Sequence, residues 1–187
     1  MIIESFFLAL VTVSATELAD KTMLVAMCFG AEQQNNGRIL LAFVSALMVS
    51  TFFATVLGSG LRAIIPIDWL VYVSGVLFIL LGIHSIFFRD DDEETTCPPD
   101  AELGAMFSTV LVSELGDKSQ LAILGLAVNS AFPFSVFAGA ITAFIVVTML
   151  SIGIGSTLGT LSEKSTIHKI AGVIFVVVGL LVIFGIL

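Results

Sequence analysis

The chain has 187 residues, of which 58% are hydrophobic and 12% charged, and its formal net charge is −8. About a quarter of the residues of a soluble domain are charged, so this composition excludes a soluble globular protein. The acidic balance also argues against a nucleic-acid partner, since such partners bind to basic surfaces.

Six apolar segments follow one another along the chain. Each is long enough to supply the about 20 helical residues that cross a bilayer, and helices satisfy their own backbone hydrogen bonds in lipid. The sequence therefore predicts an all-α integral membrane protein with six transmembrane helices. The predicted spans are residues 3–30, 39–65, 69–88, 103–130, 132–161 and 167–187.

The two halves of the chain repeat each other without a gap. Glu17 and Glu114 lie 97 positions apart, and the same offset pairs other residues of all three spans. The pairs include Thr12 and Thr109, Lys21 and Lys118, Thr51 and Thr148, Gly58 and Gly155, and Gly82 and Gly179. We therefore expect a first repeat over residues 1–89, an acidic linker over 90–101 and a second repeat over 102–187.

An odd number of spans in each repeat fixes how the two copies are related. After three spans, the second copy enters the membrane from the opposite side. The predicted architecture is thus two inverted three-helix repeats, which is typical of secondary transporters with a site near the midplane of the membrane.

Basic residues in the loops predict the orientation, because cytoplasmic loops are enriched in Lys and Arg. Arg38, Arg89, Lys164 and Lys169 fall on one side of the predicted membrane, and Arg62 falls on the other. This distribution predicts that the acidic linker is cytoplasmic, and we expect a multi-pass protein of the cell (inner) membrane. Both termini would then be extracytoplasmic.

An acidic motif occurs once in each repeat, inside an apolar span. Residues 17–22 read E-L-A-D-K-T, and residues 114–119 read E-L-G-D-K-S. An ionised group at the centre of a membrane helix costs about 2.5–3.5 kcal/mol on insertion scales, and such residues are usually functional. The motifs are therefore the candidate site.

Four carboxylates are predicted to converge there, namely Glu17, Asp20, Glu114 and Asp117. In each motif the acids are three residues apart, which places them on one face of a continuous helix. Clusters of oxygen ligands suit calcium, magnesium or manganese. The hydroxyls of Thr22 and Ser119 lie off that face, and a helix that bends or unwinds, as Gly116 would allow, is needed for them to reach the site.

The charges of the motifs suggest a mechanism. With Lys21 and Lys118, the four carboxylates sum to −2, which one divalent cation neutralises. Without metal, crowded and desolvated carboxylates favour the protonated form, so metal and protons compete for the same oxygens. The lysines are either structural counter-ions or part of the mechanism, and no cofactor is expected beyond the transported ion.

With these two motifs the sequence resembles uncharacterised protein family 0016, a family of calcium/manganese–proton antiporters with two copies of E-x-G-D-[KR]-[ST]. The resemblance implies a six-span exchanger in which the four motif acids bind the cation and the protons. It also implies accessory roles for Thr22, Ser119 and Gln120. This short chain most resembles the bacterial manganese exporters of the family.

The first motif departs from the family pattern at two positions. Ala19 replaces the usual glycine, and Met23 stands where the second motif has Gln120. A thioether is a poor ligand for calcium and a somewhat better one for manganese. We therefore hypothesise that Met23 favours manganese, although simple packing of Met23 in a helix seam fits the sequence as well.

Other functions stay open on the sequence alone. A calcium/proton exchanger of broad divalent selectivity fits the same residues. A passive cation channel and an intramembrane aspartyl hydrolase are more remote, since a channel needs no duplicated proton-binding acids and Glu114 stands where the hydrolase motif has glycine. Nothing in the sequence predicts an oligomeric state.

Overall fold

The computed structural model describes residues 2–17, 21–32, 35–87, 101–114 and 117–158, with 173, 176–181 and 183–184 near the end of the chain. The described residues form helices joined by short connections, and no strand occurs among them. This confirms the prediction of an all-α protein. The acidic linker over 90–101 lies almost entirely outside the described residues.

Seven helices have both ends within the described ranges. They are α1 (Ile2–Glu17), α2 (Lys21–Glu32), α3 (Asn36–Ile64), α4 (Ile67–Phe87), α5 (Leu103–Glu114), α6 (Lys118–Asn129) and α7 (Pro133–Leu158). The side chain of Asn35 caps α3 by accepting a hydrogen bond from the backbone N–H of Arg38. Pro133 occupies the first position of α7, where its missing N–H costs nothing.

The first and fourth predicted spans are not single helices. The segment predicted over 3–30 comprises α1 and α2, whose axes differ by 66°. The segment predicted over 103–130 comprises α5 and α6. Both interruptions fall at the acidic motif, where the sequence required a bend or an unwound helix, because α1 and α5 end at the glutamate of the motif.

Two of the described helices, α3 and α7, are long and apolar enough to cross a membrane, and the bent pair α1–α2 would make a third span. Helix α5 and part of α4 are shorter apolar segments. Their lengths agree with a membrane protein, while the count of six spans remains a prediction. Large apolar side chains on the outside of α3, such as Phe53 and Leu57, are about 60% exposed, as expected for a surface that faces lipid.

Each long helix packs against the broken span of the other half. Helix α3 lies mainly against α5 and α6, whereas α7 lies mainly against α1 and α2, and the two long helices also contact each other. Phe43 and Phe144, which are almost fully buried, belong to the core between them. The two halves thus share one core and do not form separate bundles.

Glycines permit this packing at two equivalent places. A Cβ atom on Gly58 of α3 would lie 2.7 Å from the carbonyl oxygen of Leu124 in α6. A Cβ on Gly155 of α7 would lie 2.0 Å from the carbonyl oxygen of Met27 in α2. Both the glycines and their partners are 97 positions apart, so the same contact occurs once on each side of the core. Small residues allow close approach of this kind between membrane helices.

We predict that Gly155→Ala lowers the stability of the fold by about 1–3 kcal/mol, the usual cost of overpacking. The new methyl group would press on the backbone of α2, which cannot move aside as a flexible side chain does. Gly153→Ala is the matched control, since a Cβ on this neighbouring glycine meets nothing within 4 Å. Unfolding in mixed detergent micelles measures both variants, and equal stability of the two would contradict the packing described here.

Candidate cation site

The ends of the broken helices form the candidate site. Glu17 is the last residue of α1, and Glu114 is the last residue of α5. Asp117 has an extended backbone (φ −72°, ψ 165°) and caps α6, its side chain accepting a 3.3 Å hydrogen bond from the backbone N–H of Ser119. The chain therefore leaves the helical conformation within the second motif.

Three carboxylates meet at these helix ends. One oxygen each of Glu17, Glu114 and Asp117 lies within 4.8 Å of the others. Glu17 is 1% exposed and Glu114 is not exposed at all, while Asp117 is half-buried. Oxygen ligands lie about 2.3–2.6 Å from calcium, so ligands on opposite sides of one ion are about twice that distance apart. The three oxygens are thus close enough for a single divalent ion to bridge them.

Hydroxyl groups from both halves contact the same glutamate. Thr22 of α2 donates a hydrogen bond to Oε1 of Glu114. Ser119 of α6 lies 3.2 Å from Oε2 of Glu114, to which its hydroxyl donates. Thr22 and Ser119 are repeat counterparts, so Glu114 is held by equivalent hydroxyls from the two halves.

The way in which the acids converge differs from the prediction. Glu114 and Asp117 do not share the face of a continuous helix, because α5 ends at Glu114 and Asp117 lies outside both helices. The break between α5 and α6 brings Asp117 and Ser119 towards Glu114. The bend that the sequence required for the hydroxyl of Ser119 to reach the site is therefore present.

The structure describes the other predicted residues only in part. Asp20 lies outside the described residues, and Lys21 begins α2 with a side chain that is likewise not described. Lys118 is half-buried at the start of α6, and Met23 is half-buried in α2. Gln120 is 8% exposed and its side chain lies beside Glu114.

One sequence signal for the broken helix was missed. Aspartate is among the preferred residues for capping the start of a helix, and Asp117 follows a glycine and precedes a strongly helical run. This pattern indicates a helix start at residue 118. Asp117 thus has a role in the backbone, as the cap of α6, besides its role as a predicted ligand.

Comparison with known proteins identifies the family of the chain. The family described as "Divalent cation/proton antiporter GDT1" matches residues 5–93 and 102–186, which is nearly the whole chain. The chain belongs to the GDT1 family. Both motifs lie within the matched segments, which begin 97 positions apart. No solved structure matches the chain.

Several GDT1 relatives are similar over most of this chain. GDT1-like protein 1, chloroplastic, of Oryza sativa subsp. japonica is 27% identical, and the alignment covers 91% of this chain and 59% of that protein. The chain thus spans about three fifths of the length of this chloroplastic relative. GDT1-like protein sll0615 of Synechocystis is 23% identical, with 91% and 92% covered. GDT1-like protein 5 of Arabidopsis thaliana is 24% identical, with 96% and 95% covered.

We predict that Thr22 and Glu114 are energetically coupled in this GDT1 protein. Thr22→Val removes the donor, Glu114→Leu removes the acceptor, and a double-mutant cycle measured by unfolding in micelles isolates the pair. The expected coupling is about 1–2 kcal/mol, in the upper part of the range for hydrogen bonds between membrane helices, because the acceptor is a carboxylate. Thr22→Ser keeps the donor and should resemble the unmodified chain, whereas strictly additive effects would show that the bond is not formed.

Proposed function

We propose that this GDT1 chain exchanges a divalent cation for protons and exports the metal from the cytoplasm, with manganese as the preferred ion and calcium as the second. The observation that carries the proposal is the group of three carboxylates, from Glu17, Glu114 and Asp117, gathered within 4.8 Å inside an apolar protein. Two of them are buried almost completely. Buried carboxylates this close together need a neutralising partner.

Metal and protons are alternative partners for such a cluster. A divalent cation takes oxygen ligands from all three acids at once, and protons neutralise the acids one by one. We propose that Asp20 adds the fourth carboxylate and that Lys21 and Lys118 lower the charge that the metal must balance. Since the occupied and the protonated forms exclude each other, a site that opens alternately to the two sides of the membrane would couple metal movement to proton movement.

The family supports exchange over the other candidate functions. The description of the GDT1 family names an antiporter, which argues against an intramembrane hydrolase and against a passive channel. The broken helices support the same conclusion, because discontinuous helices near the midplane are where secondary transporters bind their ions. The choice between manganese and calcium rests on the resemblance to manganese exporters and on Met23.

We further propose six spans in two inverted repeats, over residues 1–89 and 102–187, with residues 90–101 as the linker. Four helix boundaries support this division, because they recur at the same offset of 97 positions. The pairs are the ends of α1 and α5 at Glu17 and Glu114, the starts of α2 and α6 at Lys21 and Lys118, their ends at Glu32 and Asn129, and the starts of α3 and α7 at Asn36 and Pro133.

The proposed direction of transport depends on the orientation of the chain. We propose that the chain lies in the cell (inner) membrane with its termini extracytoplasmic, on the basis of the Lys and Arg residues in its loops. In this orientation the acidic linker is cytoplasmic. Export then means that the metal enters the site from the side of the linker and that protons enter from the other side.

The proposal predicts metal-driven proton release in sealed proteoliposomes that contain a pH-sensitive dye. Manganese, calcium or magnesium added outside should enter as protons leave, and the order of the rates ranks the ions. Asp117→Asn and Glu114→Gln should each lower the rate at least about tenfold, since each removes an ionisable oxygen from a shared site. Asp20→Asn tests the fourth carboxylate in the same way.

Glu102→Gln provides the matched control for these variants. Glu102 belongs to the same half but is exposed, so its replacement should leave the exchange rate unchanged. Metal entry without proton movement would indicate a channel. If folded protein moved neither metal nor protons, the transport proposal would be rejected.

The preference for manganese is tested at Met23. We predict that Met23→Gln shifts the ratio of manganese to calcium rates towards calcium, because an amide oxygen replaces a thioether near the cluster. The reciprocal change, Gln120→Met, is the matched comparison at the equivalent position and should shift the ratio towards manganese. An unchanged ratio in Met23→Gln would mean that Met23 only packs in the helix seam.

A further inference from the structure

The hydroxyl groups of the membrane helices fall into two classes. Several of those in the described ranges donate to a backbone carbonyl three or four residues earlier, as Thr16 does to Val13 at 2.8 Å and Ser151 does to Val147 at 2.7 Å. This bond is the usual way to satisfy a hydroxyl inside a membrane helix. A buried hydroxyl that has neither this bond nor a side-chain partner pays the cost of an unpaired polar group, and Thr12 of α1 is one example within the described ranges.

Two threonines of α3 belong to the second class. Thr51 is 0% exposed and Thr55 is 5% exposed. Neither hydroxyl makes a hydrogen bond within the described part of the chain, although carbonyl groups of the preceding turn are available to both. Both threonines therefore have a buried hydroxyl oxygen that no described residue contacts through a hydrogen bond.

The position of the two threonines relates them to the acidic site. Thr51, Thr55 and Gly58 follow one another at intervals of four and three residues, so they lie on one face of α3. Gly58 contacts Leu124, which shows that this face packs on α6. Helix α3 also packs on α5, so the same face runs along the broken span that carries the second motif.

A second contact fixes the register of α3 against α6. The guanidinium of Arg62 donates to the carbonyl of Val128 at 3.4 Å, across 66 positions of the chain. Gly58 and Leu124 are separated by the same 66 positions. Continuing this register towards the start of α6 places Thr55 at the level of Leu121 and Thr51 at the level of Asp117.

We propose that Thr51 and Thr55 line the passage through which the cation moves between the acidic cluster and the end of α3 that carries Arg62. This inference rests on the proposed function and adds the route to the site. Hydroxyl oxygens one helical turn apart can replace waters that a divalent ion sheds on entering a narrow path. Gly58, which packs closely on Leu124 one turn beyond Thr55, closes this passage in the present conformation.

The second half contains part of the same arrangement. Thr148 is the repeat counterpart of Thr51 and is 4% exposed on α7. Gly155 contacts Met27 as Gly58 contacts Leu124. The counterpart of Thr55 is Ile152, so α7 lacks the second hydroxyl of this arrangement, and the proposed passage serves one side of the site.

The experiment compares Thr51→Val and Thr55→Val with Thr51→Ser in proteoliposomes, using manganese as the probe. Valine keeps the shape of threonine and removes the hydroxyl, whereas serine keeps the hydroxyl. We expect both valine variants to slow manganese entry about tenfold, with manganese affinity at equilibrium within about twofold of the unmodified chain. Thr51→Ser should retain most of the rate. Thr142→Val is the matched control, because the hydroxyl of Thr142 bonds to the carbonyl of Ala138 in its own helix.

Stability separates this role from a structural one. Removing an unpaired hydroxyl should leave the unfolding temperature of Thr51→Val equal to or above that of the unmodified chain. The proposed passage would be rejected if both valine variants kept the rate of the unmodified chain. It would also be rejected if the rate fell together with the unfolding temperature, or if manganese affinity fell as much as the rate.

The outcome for the unmodified chain tests the proposed function separately. If it took up manganese without moving protons, the antiport proposal would fail, and the comparison of manganese entry rates would still decide the passage. If it neither bound nor moved manganese, both proposals would fall.

Discussion

The architecture depends on the burial of carboxylates at the ends of broken helices. A continuous helix would place its acids along one face and commit its backbone groups to internal hydrogen bonds. Ending α5 at Glu114 and starting α6 at Lys118 instead leaves Asp117 free to cap a helix and to face Glu114. The negative end of a helix dipole at Glu114 adds to the attraction for a cation. The same break that disrupts the span therefore builds the site.

The packing of the two halves explains why neither can form this site alone. Helix α3 covers the broken span of the second half, and α7 covers that of the first. Glu114 receives hydrogen bonds from Thr22 of one half and from Ser119 of the other. A change in the relative position of the halves must therefore alter the surroundings of Glu114. At Gly58 and Gly155 the backbone of a long helix packs directly on the backbone of α6 or α2. The halves can therefore slide along these contacts more easily than they can separate.

The sequence predicted the class of the protein, the repeat offset and the acids, because charge within an apolar segment stands out whatever the local structure is. It required a bend near the motif but did not give the helix boundaries, since hydropathy is uniform across a short interruption and the ends of helices are weakly marked beside an apolar run of that length. Four helix boundaries recur at the repeat offset of 97 positions. The residues around each boundary therefore carry the information that sets it. Asp117, which the sequence indicated only as a cation ligand, also caps the start of α6. The orientation of the hydroxyls of Thr51 and Thr55 could not be predicted, because each threonine in a helix can turn its hydroxyl either to the backbone or away from it.

Glu114 accepts a hydrogen bond from each half of the chain, and the bond from Thr22 is relevant to the proposed exchange cycle. Thr22 donates to an oxygen of Glu114 that a bound cation could also contact, and a cation draws negative charge from that oxygen, so metal binding would weaken this contact between the halves. Binding of metal would then loosen the connection between α2 and the second motif, and its release would restore it. An ion can shift a conformational equilibrium only by as much as it binds one state better than the other. The bond to Glu114 would supply such a difference, because the conformation with that bond intact offers the metal a carboxylate whose negative charge is already partly balanced.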